Sequence, residues 1–304
     1  MAEETKRVFS VYILLLNFPA QYAERKNLKS KTVSSAIIDL YNNEENQAIG
    51  SITKILRSTG NHYQNIPIDY KTFDTRYSGI VPDLSYDIYI SSGGPGSPWD
   101  GEGSIWESKY FSLLDSLWIH NQNNFSKKYI FFICHSFQIM IRHFKLGEVT
   151  KRNSESFGVM PIHKTEFGSK DILLKDLPDP FYCVDSRSWQ AVQPNKKIFS
   201  ELGAQILCLE KERPHVPLER AMMAIRINNE FIGTQFHPEA DAVSKFNSFR
   251  MPVKKEEIIS KYGEKKYFEI LNLLELDSGV KLTQKTILPN FLRHAIAELR
   301  PELV

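Results

Sequence analysis

Short apolar runs bounded by polar turns alternate along this chain with segments whose apolar residues recur every three or four positions. Residues 8–18 form the first compact apolar run, closed by Asn17 and Pro19, and read as a strand buried on both faces. Residues 32–41 and 51–56 carry apolar residues at helical or ambiguous spacing, with a polar loop at 42–46 between them. Residues 86–90 alternate and turn apolar just before a run of small residues at 91–98, which predicts a strand followed directly by a loop. Over 105–120, Ile105, Trp106, Tyr110, Leu113, Leu114 and Leu117 fall at helical spacing. A strand at 128–133 and a helical pattern at 136–144 follow. Strand, helix, strand, helix with short joins predicts an α/β fold, a mostly parallel central sheet with helices on both faces.

The second half is more broken. Strand-like runs at 181–184, 205–209 and 221–227 suggest antiparallel pairs at the sheet margin, and residues 230–236 read as a strand running into His237. From Asp241 onward, charged helical stretches open at Lys254 and again after Pro289. The expected organisation is a domain over 1–240 with a helical C-terminal extension over 241–304. Ile270, Leu271, Leu273, Leu274 and Leu276 make that extension too apolar to stand wholly exposed.

Composition narrows the classes. With 304 residues, 42% hydrophobic and 24% charged, the chain fits one large domain, or one domain plus an extension. Its 38 basic and 36 acidic residues leave a formal charge of +2, so no overall field favours nucleic acid or an anionic membrane. Cys134, Cys183 and Cys208 are odd in number and widely spaced, which argues against a disulfide framework or a four-thiolate zinc site and for a cytoplasmic setting. Lys6 and Arg7 precede an apolar run as in a signal peptide, but Glu3 and Glu4 come first and no small-x-small cleavage site follows. No other apolar run has the length to cross a bilayer.

Three segments carry candidate chemistry. Cys134 lies where the apolar strand at 129–133 meets a helical pattern, and a thiol on such a turn is pushed out above the sheet, its thiolate favoured by the helix dipole and free N–H groups. His237 and Glu239 stand two apart around Pro238, so both side chains can project to one side, the carboxylate fixing the imidazole tautomer. The loop Gly93-Gly94-Pro95-Gly96-Ser97 lacks P-loop and dinucleotide spacing, and its glycines let backbone approach a ligand; the Gly94 and His135 amides are candidate oxyanion donors. Taken singly, each has a plainer reading: a core cysteine, a surface turn, a Gly-Pro turn. His135 and His143 lie outside the register of a helical zinc pair, so no metal site is expected.

Together and in this order, the segments resemble the class I, or triad-type, glutamine amidotransferases, with spacing similar to the glutaminase half of GMP synthase. The family's marks are a Gly-Gly-Pro-x-Ser loop, a Gly-x-Cys-x-Gly-x-Gln elbow and a His-Pro-Glu; here they read 93–97, 132–138 and 237–239. The resemblance implies a flavodoxin-like fold, Cys134 as nucleophile, His237 as base and acid, Glu239 as orienting carboxylate, and Gly96 and Gln138 lining a glutamine pocket. It implies amide hydrolysis through a thioester, no metal or organic cofactor, and ammonia passed to a separate synthase subunit. A γ-glutamyl amide or peptide hydrolase and a catalytically degenerate binding module are the alternatives, and the C-terminal extension is a candidate docking surface, homodimer contact or cap over the sheet. Phe132 and Ser136 replace the elbow's glycines, and Arg187 stands where many members carry a Ser-His pair. Bulk at 132 is expected to tilt the turn or narrow the pocket. Ser154 to Gly158 looks like the family's segment after the elbow helix.

Overall fold

A computed structural model describes residues 32–62, 66–277 and 279–303; the apolar run at 8–18 lies outside the described residues. Residues 32–41, ambiguous by spacing, form strand β1 (Val33–Asp39). The reason is its place in the sheet. It pairs in parallel with β2 (Ile68–Asp74) on one side and β3 (Ile88–Ser91) on the other. Buried on both faces, it has no polar alternation to reveal its period. Helix α1 (Ala48–His62) starts where the Asn46 side chain accepts from the Ala48 and Ile49 amides at 3.1 and 3.2 Å.

The expected unit of strand, helix, strand, helix is present. The short helix α2 (Thr75–Ser78) precedes β3, and after β3 come α3 (Ile105–Asn123), β4 (Tyr129–Ile133) and α4 (His135–Phe144). Ser104 caps α3 by accepting from the Glu107 amide at 3.3 Å. Two long strands, β5 (Glu148–Lys164) and β6 (Phe181–Val192), pair antiparallel at the far margin. The helix α5 (Glu166–Lys170) lies between them in sequence, and α6 (Lys196–Leu202) follows. β7 (Gln205–Glu210), β8 (Met222–Arg226) and β9 (Phe231–Thr234) complete a nine-stranded sheet of order β2-β1-β3-β4-β9-β8-β7-β5-β6. The β2-β1-β3-β4-β9 half is parallel and the rest antiparallel.

Alternate residues of β4 serve the two faces. Phe131 and Ile133 join α1 residues Ile52 and Leu56 in one core, while Ile130 and Phe132 join Leu114 of α3 and Met140 of α4 in the other. The C-terminal helices are α7 (Ala242–Arg250), α8 (Pro252–Tyr262), α9 (Glu264–Glu275) and α10 (Val280–Leu299). α10 lays Ile287, Leu288, Phe291 and Leu292 into the same core as β1 and α1, with Phe291 5.1 Å from Phe131. Ile270 and Leu274 are buried with Val159 and Val184, whereas Leu276 remains exposed. Pro289 lies inside α10 rather than before a new helix. A proline in a helix interior costs about 3 kcal/mol. Burial of several side chains at about 1.5–3 kcal/mol each outweighs that cost.

Candidate active site

Cys134 is the residue between β4 and α4, with φ 50° and ψ −96°. That backbone is strained for a residue with a Cβ. Two hydrogen bonds hold it: the Cys134 amide donates to the Thr234 carbonyl at 2.8 Å, and the Gln138 amide donates to the Cys134 carbonyl at 3.1 Å. The thiol is buried but lines a cavity. Cys183 and Cys208 are buried in the core, and burial pushes both thiols well up.

His237 and Glu239 follow β9. The His237 amide donates to the Val184 carbonyl at 3.0 Å, anchoring the segment to β6. His237 Nδ1 lies 2.8 Å from Glu239 Oε1, and the carboxylate is almost wholly buried. Burial opposes a charged imidazole, but Glu239 and then Cys134 reverse that and hold His237 well above the usual histidine range. Gly93 shows how close the groups are. A Cβ there would sit 2.9 Å from His237 Cε1 and 3.7 Å from Cys134 Cβ, so the loop backbone passes between the two only as glycine.

Neither the Gly94 amide nor the His135 amide makes a hydrogen bond among the described residues, and both residues line the cavity with Cys134. The His135 ring is buried, and burial, with Arg76 and Arg142 beside it, pushes its pKa down to about 3. The imidazole is therefore neutral. Arg76 escaped the sequence reading. Its Nη1 donates to the Pro95 carbonyl at 2.6 Å, fixing the Gly-rich loop, and lies 3.4 Å from His135 Nε2. Gln138 Nε2 donates to Gln235 Oε1 at 3.0 Å, and Gln235 Nε2 approaches Cys134 Sγ at 3.8 Å. Gly96 (φ 78°) lines the same cavity. Tyr41, also missed, points its hydroxyl at Gly93 and is held well above its ordinary pKa by burial, with Glu239 and Cys134 nearby. Nothing in the local pattern around Arg76 or Tyr41 distinguishes them, because the topology brings them in from β1 and α2.

A family model for class-I glutamine amidotransferases matches residues 37–247. The chain belongs to this family. Its fold is similar to a glutamine amidotransferase of Thermotoga maritima, with a TM-score of 0.61 and 15% identity, covering 86% of this chain and 98% of that one. A glutamine amidotransferase of Methylobacillus flagellatus aligns at a TM-score of 0.57 and 17% identity over 90% of this chain and 96% of that one. The glutaminase domain of Trypanosoma brucei CTPS, bound to acivicin, aligns at 0.52 and 13% over 88% and 94%. No curated protein matches the sequence.

Within this amidotransferase fold, two of the departures from the family pattern, Phe132 and Ser136, are packed away from the cavity, and the third, Arg187, lines it. Phe132 does not narrow the pocket, contrary to expectation: its ring turns to the opposite face of β4, in the core with Phe231 and Phe137. The accommodating residue is Gly233 on β9, where a Cβ would meet Phe137 Cδ2 at 2.8 Å and Phe132 Cβ at 3.1 Å. Ser136 Oγ accepts from the Ile133 amide and lies within bonding distance of the Ser91 carbonyl, both at 2.8 Å, tying the turn to β3. Arg187 is buried too, but in the wall of the cavity that Cys134 lines. Its side chain is 1% exposed and bonds Asp185 at 3.0 Å and Glu210 at 3.3 Å, with Arg152 and Arg213 on the same glutamate.

Two cavities meet at Cys134. The smaller, about 200 Å³, is lined by Gly94, Gly96, Cys134, His135, Gln138 and Glu155 among others. Glu155 is held there by Lys261 and Tyr262 of α8 at 2.5 and 2.7 Å. The larger, about 860 Å³, runs from Cys134, His237 and Glu239 past Tyr41 to α7 and α8. Among the described residues no cluster of side chains suits a metal ion, and no helix is long and apolar enough to cross a membrane.

Proposed function

We propose that this chain hydrolyses a γ-carboxamide, glutamine being the simplest substrate, through a thioester on Cys134. The thiolate attacks the carbonyl carbon, and the Gly94 and His135 amides receive the oxyanion. His237, oriented by Glu239, gives its proton to the departing nitrogen and then takes one from water, which releases glutamate. The smaller cavity takes the glutamyl group, with Gly96 and Gln138 in its wall. Ammonia from glutamine would pass to a synthase on another chain.

The observation that carries this reading is the convergence of a strained, cavity-lining thiol, a histidine paired to a buried carboxylate, and two unbonded amides. A γ-glutamyl amide or peptide is the second substrate reading, favoured by the size of the larger cavity. Phe132 no longer motivates the degenerate-module reading, since it packs in the core; Arg187, which lines the smaller cavity, still does. The test is intact-mass labelling with a glutamine-mimicking chloroketone on wild type and Cys134→Ala. Stoichiometric, glutamine-protected labelling that vanishes in the variant supports the proposal, and labelling only at Cys183 or Cys208 overturns it.

A further inference from the structure

The larger cavity is far too big for ammonia. A water-sized molecule takes up about 30 Å³, against about 860 Å³ here. Several polar groups on its wall, the charged Glu239, Asp241 and Lys254 among them, already have partners. Asn46 caps α1, Asp241 accepts from the Ser244 amide at 2.7 Å and from Gln284 at 3.3 Å, and Lys254 pairs with Glu257 at 2.7 Å. Glu44 and Glu45 stand exposed at the rim, where water screens them.

Lys245 of α7 differs from all of these. It is half-buried on the cavity wall, and its ammonium makes no hydrogen bond or ion pair among the described residues. Burial lowers its pKa, and only Glu239, acting at longer range, opposes that. Glu239 is itself committed to His237. A partly desolvated ammonium without a counter-ion is costly, and an anionic ligand in the cavity would relieve the cost. The same ammonium repels a cationic leaving group.

We infer that the substrate is a γ-glutamyl conjugate of an amino acid, whose leaving amino acid fills the larger cavity with its carboxylate on Lys245. The inference rests on the Cys134 thioester reading above. The Cys134 sulfur forms a bond to the γ-carbonyl carbon, the C–N bond breaks, and His237 supplies the proton that lets the amino acid leave as its amine. Water then cleaves the thioester, giving glutamate and restoring the thiol.

The experiment compares kcat/KM of the full chain for glutamine, γ-glutamylglycine, γ-glutamylmethylamide and the γ-glutamyl amide of 1,3-diaminopropane. A hydrogen-bonded charge pair is worth about 1.5–3 kcal/mol, or about ten- to a hundredfold. γ-Glutamylglycine should therefore exceed the methylamide by about tenfold or more, and Lys245→Gln should shrink that ratio by a similar factor while Lys245→Arg preserves most of it. Product inhibition of wild type, by glycine more than by methylamine, gives a second readout that needs no variant to fold. Equal rates for the glycine and methylamide conjugates, preference for the diamine conjugate or glutamine, or a ratio unmoved in Lys245→Gln overturns the inference. If Cys134 still takes the chloroketone in that case, the thioester reading stands alone; if no γ-glutamyl amide turns over and Cys134 is not labelled, both fall.

Discussion

His237 Nδ1 and Glu239 Oε1 lie 2.8 Å apart across a single proline. Nδ1–H is thereby donated to the carboxylate, and Nε2 is the ring nitrogen left for proton transfer. Among the described residues the second oxygen, Oε2, has no hydrogen-bond partner and is buried, so the carboxylate's charge is directed at the imidazole.

Replacing Glu239 with Gln keeps the shape and removes that charge. Steady-state glutamate release should fall about 10²–10⁴-fold in kcat, with KM changing much less. Stability gives a second check. Because the folded-state pKa of His237 is raised, its contribution is fully present below the unfolded value near 6.5 and is lost as pH rises through the folded value. Urea unfolding at several pH values should show the wild type losing stability relative to Glu239→Gln from about pH 6.5 upward.

The φ of 50° at Cys134 makes a stability prediction separate from catalysis. Backbone strain of this kind costs about 1–3 kcal/mol, partly offset in a glycine variant by about 0.4–1 kcal/mol of extra unfolded-chain entropy. Both Cys134→Gly and Cys134→Ala should be inactive. In denaturant titrations the glycine variant should be the more stable of the two, and the reverse order would show that the turn is relaxed.

Arg76 is expected to act as a positioning residue through the Pro95 carbonyl and the His135 ring. Losing a charge-assisted bond worth about 1.5–3 kcal/mol predicts a ten- to hundredfold drop in kcat/KM for Arg76→Ala. Both contacts come from Nη1, so a lysine ammonium, with three donors on one nitrogen, should recover part of it in Arg76→Lys. Chloroketone labelling of Cys134 should slow in parallel.

Gly233 and Phe137 should be coupled. Gly233→Ala places a methyl 2.8 Å from Phe137 Cδ2 and should destabilise by about 1–3 kcal/mol. Phe137→Ala alone should cost about 3–5 kcal/mol. In the double variant the two costs should sum to less than their separate values, because the second substitution vacates space the first needs. Full additivity in thermal unfolding would show that the ring and the glycine are independent.

The buried guanidinium of Arg187 bridges Asp185 and Glu210; its removal leaves Asp185 without a cationic partner, while Glu210 keeps Arg152 and Arg213. Arg187→Met should destabilise by about 3–5 kcal/mol. Because Arg187 also lines the smaller cavity beside Cys134, chloroketone labelling of Cys134 in the folded variant should slow.

The local pattern by itself determined the strand-turn-helix around Cys134, the alternation that aims His237 and Glu239 to one side, and the Gly-rich loop after β3. Each depends on residues close in sequence, and their order along the chain resembled a known family. Tertiary structure decided what periodicity could not. Strand β1, buried on both faces, has no alternation, so its pairing with β2 and β3 was invisible locally. α10 runs through Pro289 because its apolar face is buried against the sheet, a gain that local propensity does not contain. Arg76, Tyr41 and Lys245 reach the site from separate elements, and Phe132 is accommodated by Gly233 far along the chain. Contacts between residues distant in sequence leave no periodic trace, and only the folded chain brings them together.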